Sequence, residues 1–181
     1  MLILMRHGED DPARLGGWSD AALTEQGRRQ AEEAAERLAA ERPGIRRIFA
    51  SDLPRARETA EIVGERLGLP VTPDPAFREI NNGEMAGMPK EEAREKYPGI
   101  WFSALGFDER YPGGESPHEF EERIRAAWAT FKERTTPLDG DTLLVTHWGV
   151  INVILCAENG VEYTNKAKPY PTDHAQWQIV P

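Results

Sequence analysis

Leu2-Ile3-Leu4-Met5 is an unbroken apolar run, and Thr142 to Val145 is a second. Runs of this length without polar alternation suit strands buried on both faces of a sheet. Between them the period changes. Ala31, Ala34, Ala35, Leu38 and Ala39 follow one another at helical spacing after Thr24, a good N-cap, and Pro43-Gly44 closes that helix. Ile45 to Ala50 reads as a strand. Ser51 or Asp52 then caps a helix carrying Ala56, Ala60, Val63 and Leu67, which ends at Gly68. A short strand is expected around Val71-Thr72.

From about 80 to 114 the chain loses its period, and Gly and Pro are mixed with Trp101, Phe102, Phe107 and Tyr111. A short helix over Lys90 to Tyr97 within irregular loops is expected, forming a lid-like segment over one end of the domain. Ser116-Pro117-His118-Glu119 is a capping box with proline at the first helical position. The expected buried stripe of that helix is Phe120, Ile124, Ala127 and Phe131. Asp139-Gly140 turns into the 142–145 strand, residues 149–157 suit a helix, and Ala175 to Val180 alternates like an edge strand. Strands alternating with helices imply one domain over 1–181. Its class is α/β, a three-layer α/β/α arrangement with a mostly parallel sheet and helices on both faces.

The 181 residues are 39% hydrophobic and 29% charged, the balance of a globular chain. A net charge of −9 repels nucleic-acid backbones and anionic membranes, so neither is an expected partner. No apolar run is long enough to span a bilayer, and Arg6 interrupts the first one too early for a signal peptide. Cys156 stands alone and reads as a core residue, which fits a reducing compartment and an expected cytoplasmic location. The sequence leaves oligomeric state open.

In open α/β sheets, ligands bind beyond the carboxyl ends of the strands. The first strand runs into Arg6-His7-Gly8, the second into Ser51-Asp52-Leu53-Pro54-Arg55, and the 142–145 strand into Thr146-His147. Element order alone thus delivers two arginines and two histidines to one sheet edge. Each guanidinium can bond two phosphate oxygens in a fixed fork, and a helix start after His147 would add backbone N–H donors. Neighbouring cations would keep His7 neutral, with one nitrogen free to attack. Four histidines without close pairing give no metal-ligand spacing, and no metal is expected. His118 and His174 read as peripheral.

These segments, taken in order, resemble the histidine phosphatase superfamily, the phosphoglycerate mutase-like family. The likeness is carried by Leu4-Met5-Arg6-His7-Gly8-Glu9, Leu23 to Ala31, Ser51 to Ala60, Phe77 to Gly87, Gly113-Gly114-Glu115-Ser116 and Val145-Thr146-His147. It implies a phosphoglycerate mutase-like fold. It also implies a metal-independent phosphomonoester hydrolase working through phosphohistidine on His7. Arg6, Arg55 and His147 would clamp the phosphoryl oxygens, Glu79 would serve as general acid and then base, and Arg14 would touch the substrate peripherally. No metal or organic cofactor takes part in the family's catalysis. The implied substrate is a small phosphorylated metabolite. The alternatives are a mutase-type phosphoryl transferase or a member that binds phospho-ligands without turnover; the family's mutases are longer, which favours hydrolysis here.

Two departures stand out. Trp148 follows His147 where the family usually has glycine, and it either narrows the substrate pocket or packs beneath it. Asp10-Asp11-Pro12-Ala13 lacks the usual threonine and asparagine, and its acids oppose a phosphate unless they face solvent or a cationic part of the substrate.

Overall fold

A computed structural model describes residues 1–136 and 139–181. Its centre is a five-stranded sheet in the order β3-β2-β4-β1-β5, with β1 Leu2–Arg6, β2 Ile45–Ala50, β3 Val71–Pro73, β4 Asp141–Thr146 and β5 Trp177–Ile179. Four strands are parallel, and β5 alone runs antiparallel, along the outer side of β1. The helices are α1 Glu25–Glu41, α2 Pro54–Leu67, α3 Lys90–Lys96, α4 Pro117–Thr135 and α5 Trp148–Glu158.

Side-chain alternation along the strands explains the layers. Ile3, Met5, Leu143 and Val145 project to one face, against Ala34, Ala35 and Leu38 of α1 and Ala60 and Val63 of α2. Leu4 and Leu144 project to the other, against Phe120, Ile124 and Phe131 of α4 and the apolar length of α5. Leu2 to Met5 of β1 and Leu143 to Val145 of β4 are therefore apolar at consecutive positions, because both faces are covered there. The α4 stripe differs from its expected form in one place: Trp128 is buried, and Ala127 is only partly covered. The indole supplies the larger apolar area and gives its N–H to Glu158 at 2.8 Å.

Caps fix where the helices begin. Thr24 Oγ1 accepts from Gly27 N at 3.0 Å, and both halves of the Ser116–Glu119 capping box form. The cap expected at Ser51 or Asp52 does not form. Leu53 occupies the N-cap of α2 without a side-chain bond, and proline at N1 removes one donor that would have needed it. Ser51 and Asp52 are thereby left for other partners.

The 80–114 stretch holds a 3-10 turn at Gly83–Met85 and α3 among irregular loops, and it is anchored. Met85, Ala93, Leu105 and Tyr111 are buried in the α4–α5 core, with Trp101 and Phe102 packed against it. Cys156 is buried in the same core. Among the described residues, no helix is long and apolar enough to cross a membrane.

Candidate active site

Sheet register places the first three site residues. Arg6 pairs with Thr146, His7 N donates to Thr146 O at 3.0 Å, and Ser51 N donates to Val145 O at 3.0 Å. The carboxyl ends of β1, β4 and β2 are neighbours, so His7, His147 and Ser51 emerge side by side. The rings of His7 and His147 lie 5.2 Å apart, and His147 Nε2 meets Ser51 Oγ at 2.8 Å. Ser51, expected as a helix cap, is a partner of the second histidine.

The tautomer of His7 follows from its contacts. Nδ1 lies 2.6 Å from the carbonyl of Gly8, which can only accept, so Nδ1 carries the proton. Nε2 is then unprotonated, and its lone pair accepts from Arg55 Nε at 3.3 Å. Burial, and next the Arg55 charge, hold the His7 imidazole well below its ordinary pKa of 6.5; His147 is lowered in the same way and by the same first two causes. The turn that presents His7 needs glycine on both sides of a close approach. A Cβ on Gly8 would lie 2.4 Å from the carbonyl oxygen of Gly27 in α1.

Arg55, at the second position of α2, is only 2% exposed and held by Ser19 Oγ (3.3 Å), Gly17 O (2.8 Å) and Asp10 Oδ2 (3.5 Å). Arg6 donates to Thr172 O at 2.9 Å and to His174 Nε2 at 2.8 Å. Its Nε, and Nδ1 of His147, are buried with no hydrogen-bond partner among the described residues. Buried polar atoms normally find partners, and an anion held between these residues would supply acceptors.

Glu79 lies beside this group. Its Oε2 accepts from Gly149 N at 3.0 Å and its Oε1 from Ile80 N at 3.1 Å. Burial raises the pKa of its carboxyl, and the Gly149 N–H and the Arg55 charge oppose that only in part. One donor at the start of α5 is thus spent on Glu79, where the sequence pattern pointed it at the phosphate. Glycine at 149 leaves room for this contact, because a Cβ there would fall 2.3 Å from Glu79 Oε1 and the carboxyl would have to shift.

A cleft of about 340 Å³ opens over these groups. Arg6, His7, Arg55 and Glu79 line it, as do Arg14, Lys90 and Trp148. His147 is fully buried beside them. Trp148 therefore faces the cleft and narrows it, and Lys168 Nζ sits 5.3 Å over the indole. Arg14 is exposed at the rim, its NH1 donating to Gly87 O at 2.8 Å. Trp101, Phe102 and Tyr111 do not line the cleft; from the 80–114 stretch, Lys90 does.

His174 overturns its peripheral reading. It lines the cleft, and its ring lies 5.7 Å from that of His7. Ala175, beside it, adopts a φ of 56°, unfavourable for a side-chain-bearing residue, and its N–H donates to His7 O at 3.1 Å. Nothing in local spacing points to His174, because the contact depends on how the 164–176 loop returns to β1. Histidines far apart in sequence also meet here: ligand atoms of His7, Asp10 and His174 lie within 4.8 Å of one another. The guanidiniums of Arg6 and Arg55 already bond these two imidazoles, so the trio is a poor cation site and the surroundings suit an anion.

The profile of the histidine phosphatase superfamily, branch 1, matches residues 2–180. A probable phosphoglycerate mutase, GpmB, of Salmonella paratyphi B is 37% identical over 81% of this chain and 68% of its own. Mycobacterial glucosyl-3-phosphoglycerate phosphatase superposes with a TM-score of 0.80 at 31% identity, covering 97% of this chain and 87% of that one. YhfR of Bacillus stearothermophilus gives a TM-score of 0.78 at 30% identity, over 96% and 86% of the two chains.

Proposed function

From the premise that this chain belongs to the histidine phosphatase superfamily, we propose that it is a phosphomonoester hydrolase working through a phosphohistidine on His7, with a small phosphorylated metabolite as substrate. The observation that carries the reading is the His7 ring itself: its proton is committed to the Gly8 carbonyl, and its unprotonated Nε2 accepts from Arg55 Nε in the cleft that both residues line.

In the first half-reaction, Nε2 attacks phosphorus. The N–P bond forms as the ester P–O bond breaks, and the proton of Glu79 passes to the departing oxygen, releasing an alcohol. In the second, ionised Glu79 takes a proton from water as the water oxygen attacks phosphorus. The N–P bond breaks, its electron pair returns to Nε2, and inorganic phosphate leaves. The transition states spread charge over three equatorial oxygens, so positioned cations provide most of the stabilisation. Arg6 and Arg55 fill that role, with His147 as a further donor when Nδ1 carries its proton. Arg14 and Trp148 touch the rest of the substrate.

The name of the Salmonella relative favours a second reading, transfer of the phosphoryl group to another hydroxyl. The mycobacterial relative, matched over nearly the whole chain, is named a phosphatase. An aryl phosphate incubated with purified protein, chelator and a polyol acceptor separates the readings. Hydrolysis yields inorganic phosphate equal to the phenol released; transfer yields phenol in excess and a new phosphate ester. Absence of phenol release would overturn both.

A further inference from the structure

The Gly113-Gly114-Glu115-Ser116 motif has no part in the chemistry above, and its carboxylate leads to an arginine. Arg123 of α4 binds Glu115 through both forks, Nε to Oε1 at 2.7 Å and NH2 to Oε2 at 3.0 Å. The rest of the guanidinium is spent on the backbone around Glu79. NH1 donates to the carbonyls of Ala76 (3.0 Å) and Arg78 (3.2 Å), and NH2 to that of Glu79 itself (3.1 Å). Glu115 closes the ring by accepting from Asn81 N at 2.9 Å. A second donor reaches the same carbonyl: Trp18 Nε1 bonds Glu79 O at 2.7 Å.

This amounts to a clamp on a segment without regular secondary structure. Residues 78–82 have no strand or helix to fix them, yet the carboxyl of Glu79 must hold its place against a leaving oxygen. Proton transfer depends on donor–acceptor placement within fractions of an ångström. A planar guanidinium with five donors can bridge one carboxylate and three carbonyls at once, which an ammonium cannot. The geometry points to Arg123, oriented by Glu115 and assisted by Trp18, as the positioning device for the proton donor at Glu79. This inference rests on the acid role proposed above.

The test uses leaving groups. A dinitrophenolate departs without help, whereas an alkoxide needs its proton, so loss of a positioned acid slows alkyl esters selectively. The quantity to read is kcat/KM, which covers the steps up to departure of the alcohol, for dinitrophenyl phosphate and for glycerol phosphate. Glu79→Gln sets the reference. Arg123→Lys keeps the charge and loses the fork; Trp18→Phe keeps an aromatic ring under Arg78 and loses the N–H together with the rest of the indole. Both are expected to lower the glycerol phosphate value about tenfold or more while changing the dinitrophenyl value less than about threefold. Equal losses on both esters, or no loss on either, in folded Arg123→Lys and Trp18→Phe proteins would overturn the clamp. If Arg123→Lys does not fold, Trp18→Phe decides alone. If Glu79→Gln itself shows no selectivity, the acid assignment falls and takes the clamp with it. If only Glu79→Gln is selective, the clamp alone is wrong.

Discussion

Nε of Arg55 lies 3.3 Å from Nε2 of His7, on the ring nitrogen left unprotonated by the Gly8 contact. The same guanidinium thus lowers the proton affinity of the proposed nucleophile and, on that proposal, stands where the attacked phosphoryl group would sit. Arg55→Lys keeps the charge but loses the Nε–H and the fork. It is expected to lower kcat/KM for an aryl phosphate by about a hundredfold, a loss of about 3 kcal/mol in transition-state stabilisation. Steady-state kinetics check this; a loss under about threefold would remove Arg55 from the clamp.

The two shifted pKa values set a pH profile. In the proposed mechanism His7 acts as its neutral form, and its lowered pKa moves the acid limb below the ordinary imidazole range. Glu79 must be protonated for the first half-reaction, and its raised pKa moves the basic limb above the ordinary carboxylate range. A plot of kcat/KM for glycerol phosphate against pH should be a bell centred at mildly acidic pH. In Glu79→Gln the basic limb should disappear. Its survival there would assign that limb to another group.

Gly149→Ala puts a Cβ into the space of the Glu79 carboxyl. Activity on alkyl phosphates should fall by about tenfold or more, with the fold retained by circular dichroism. Wild-type activity in this variant would show that the Glu79–Gly149 contact is dispensable.

Asp10 Oδ2 approaches Arg55 Nε at 3.5 Å, so a carboxylate already competes for the cation that a phosphate would use. Asp10→Asn should therefore tighten inhibition by inorganic phosphate about threefold to tenfold. Unchanged or weaker inhibition would mean that Asp10 faces away from the bound anion.

Much of the fold can be read from residues 2–5 and 142–145, because strands covered on both faces have nowhere to put a polar side chain. The same geometry makes Arg6, His7, Arg55 and His147 legible, since each lies at or shortly beyond the carboxyl end of a strand, and adjacency of those strands brings them together. Glu79 was legible only by resemblance, as one acid among 31. Its holders, Gly149, Trp18 and Arg123, come from three distant segments and act largely through backbone atoms, which leave no pattern in side-chain polarity. The place of His174 is hidden from the sequence for a related reason: it depends on a loop closing through Ala175 onto His7 O. Ser51 carries a polar signal whose main partner is not the helix: Leu53 takes the N-cap position of α2, and the Ser51 hydroxyl bonds His147 while accepting from Leu53 N at 3.4 Å.

The most direct test is to mix the protein with a phosphorus-labelled aryl phosphate, quench within one turnover and map the label. The expected result is an acid-labile, base-stable phosphoryl group on Nε2 of His7, absent from His7→Ala. Label on another residue, or phosphate released in a full turnover with no labelled protein at any time, would contradict it.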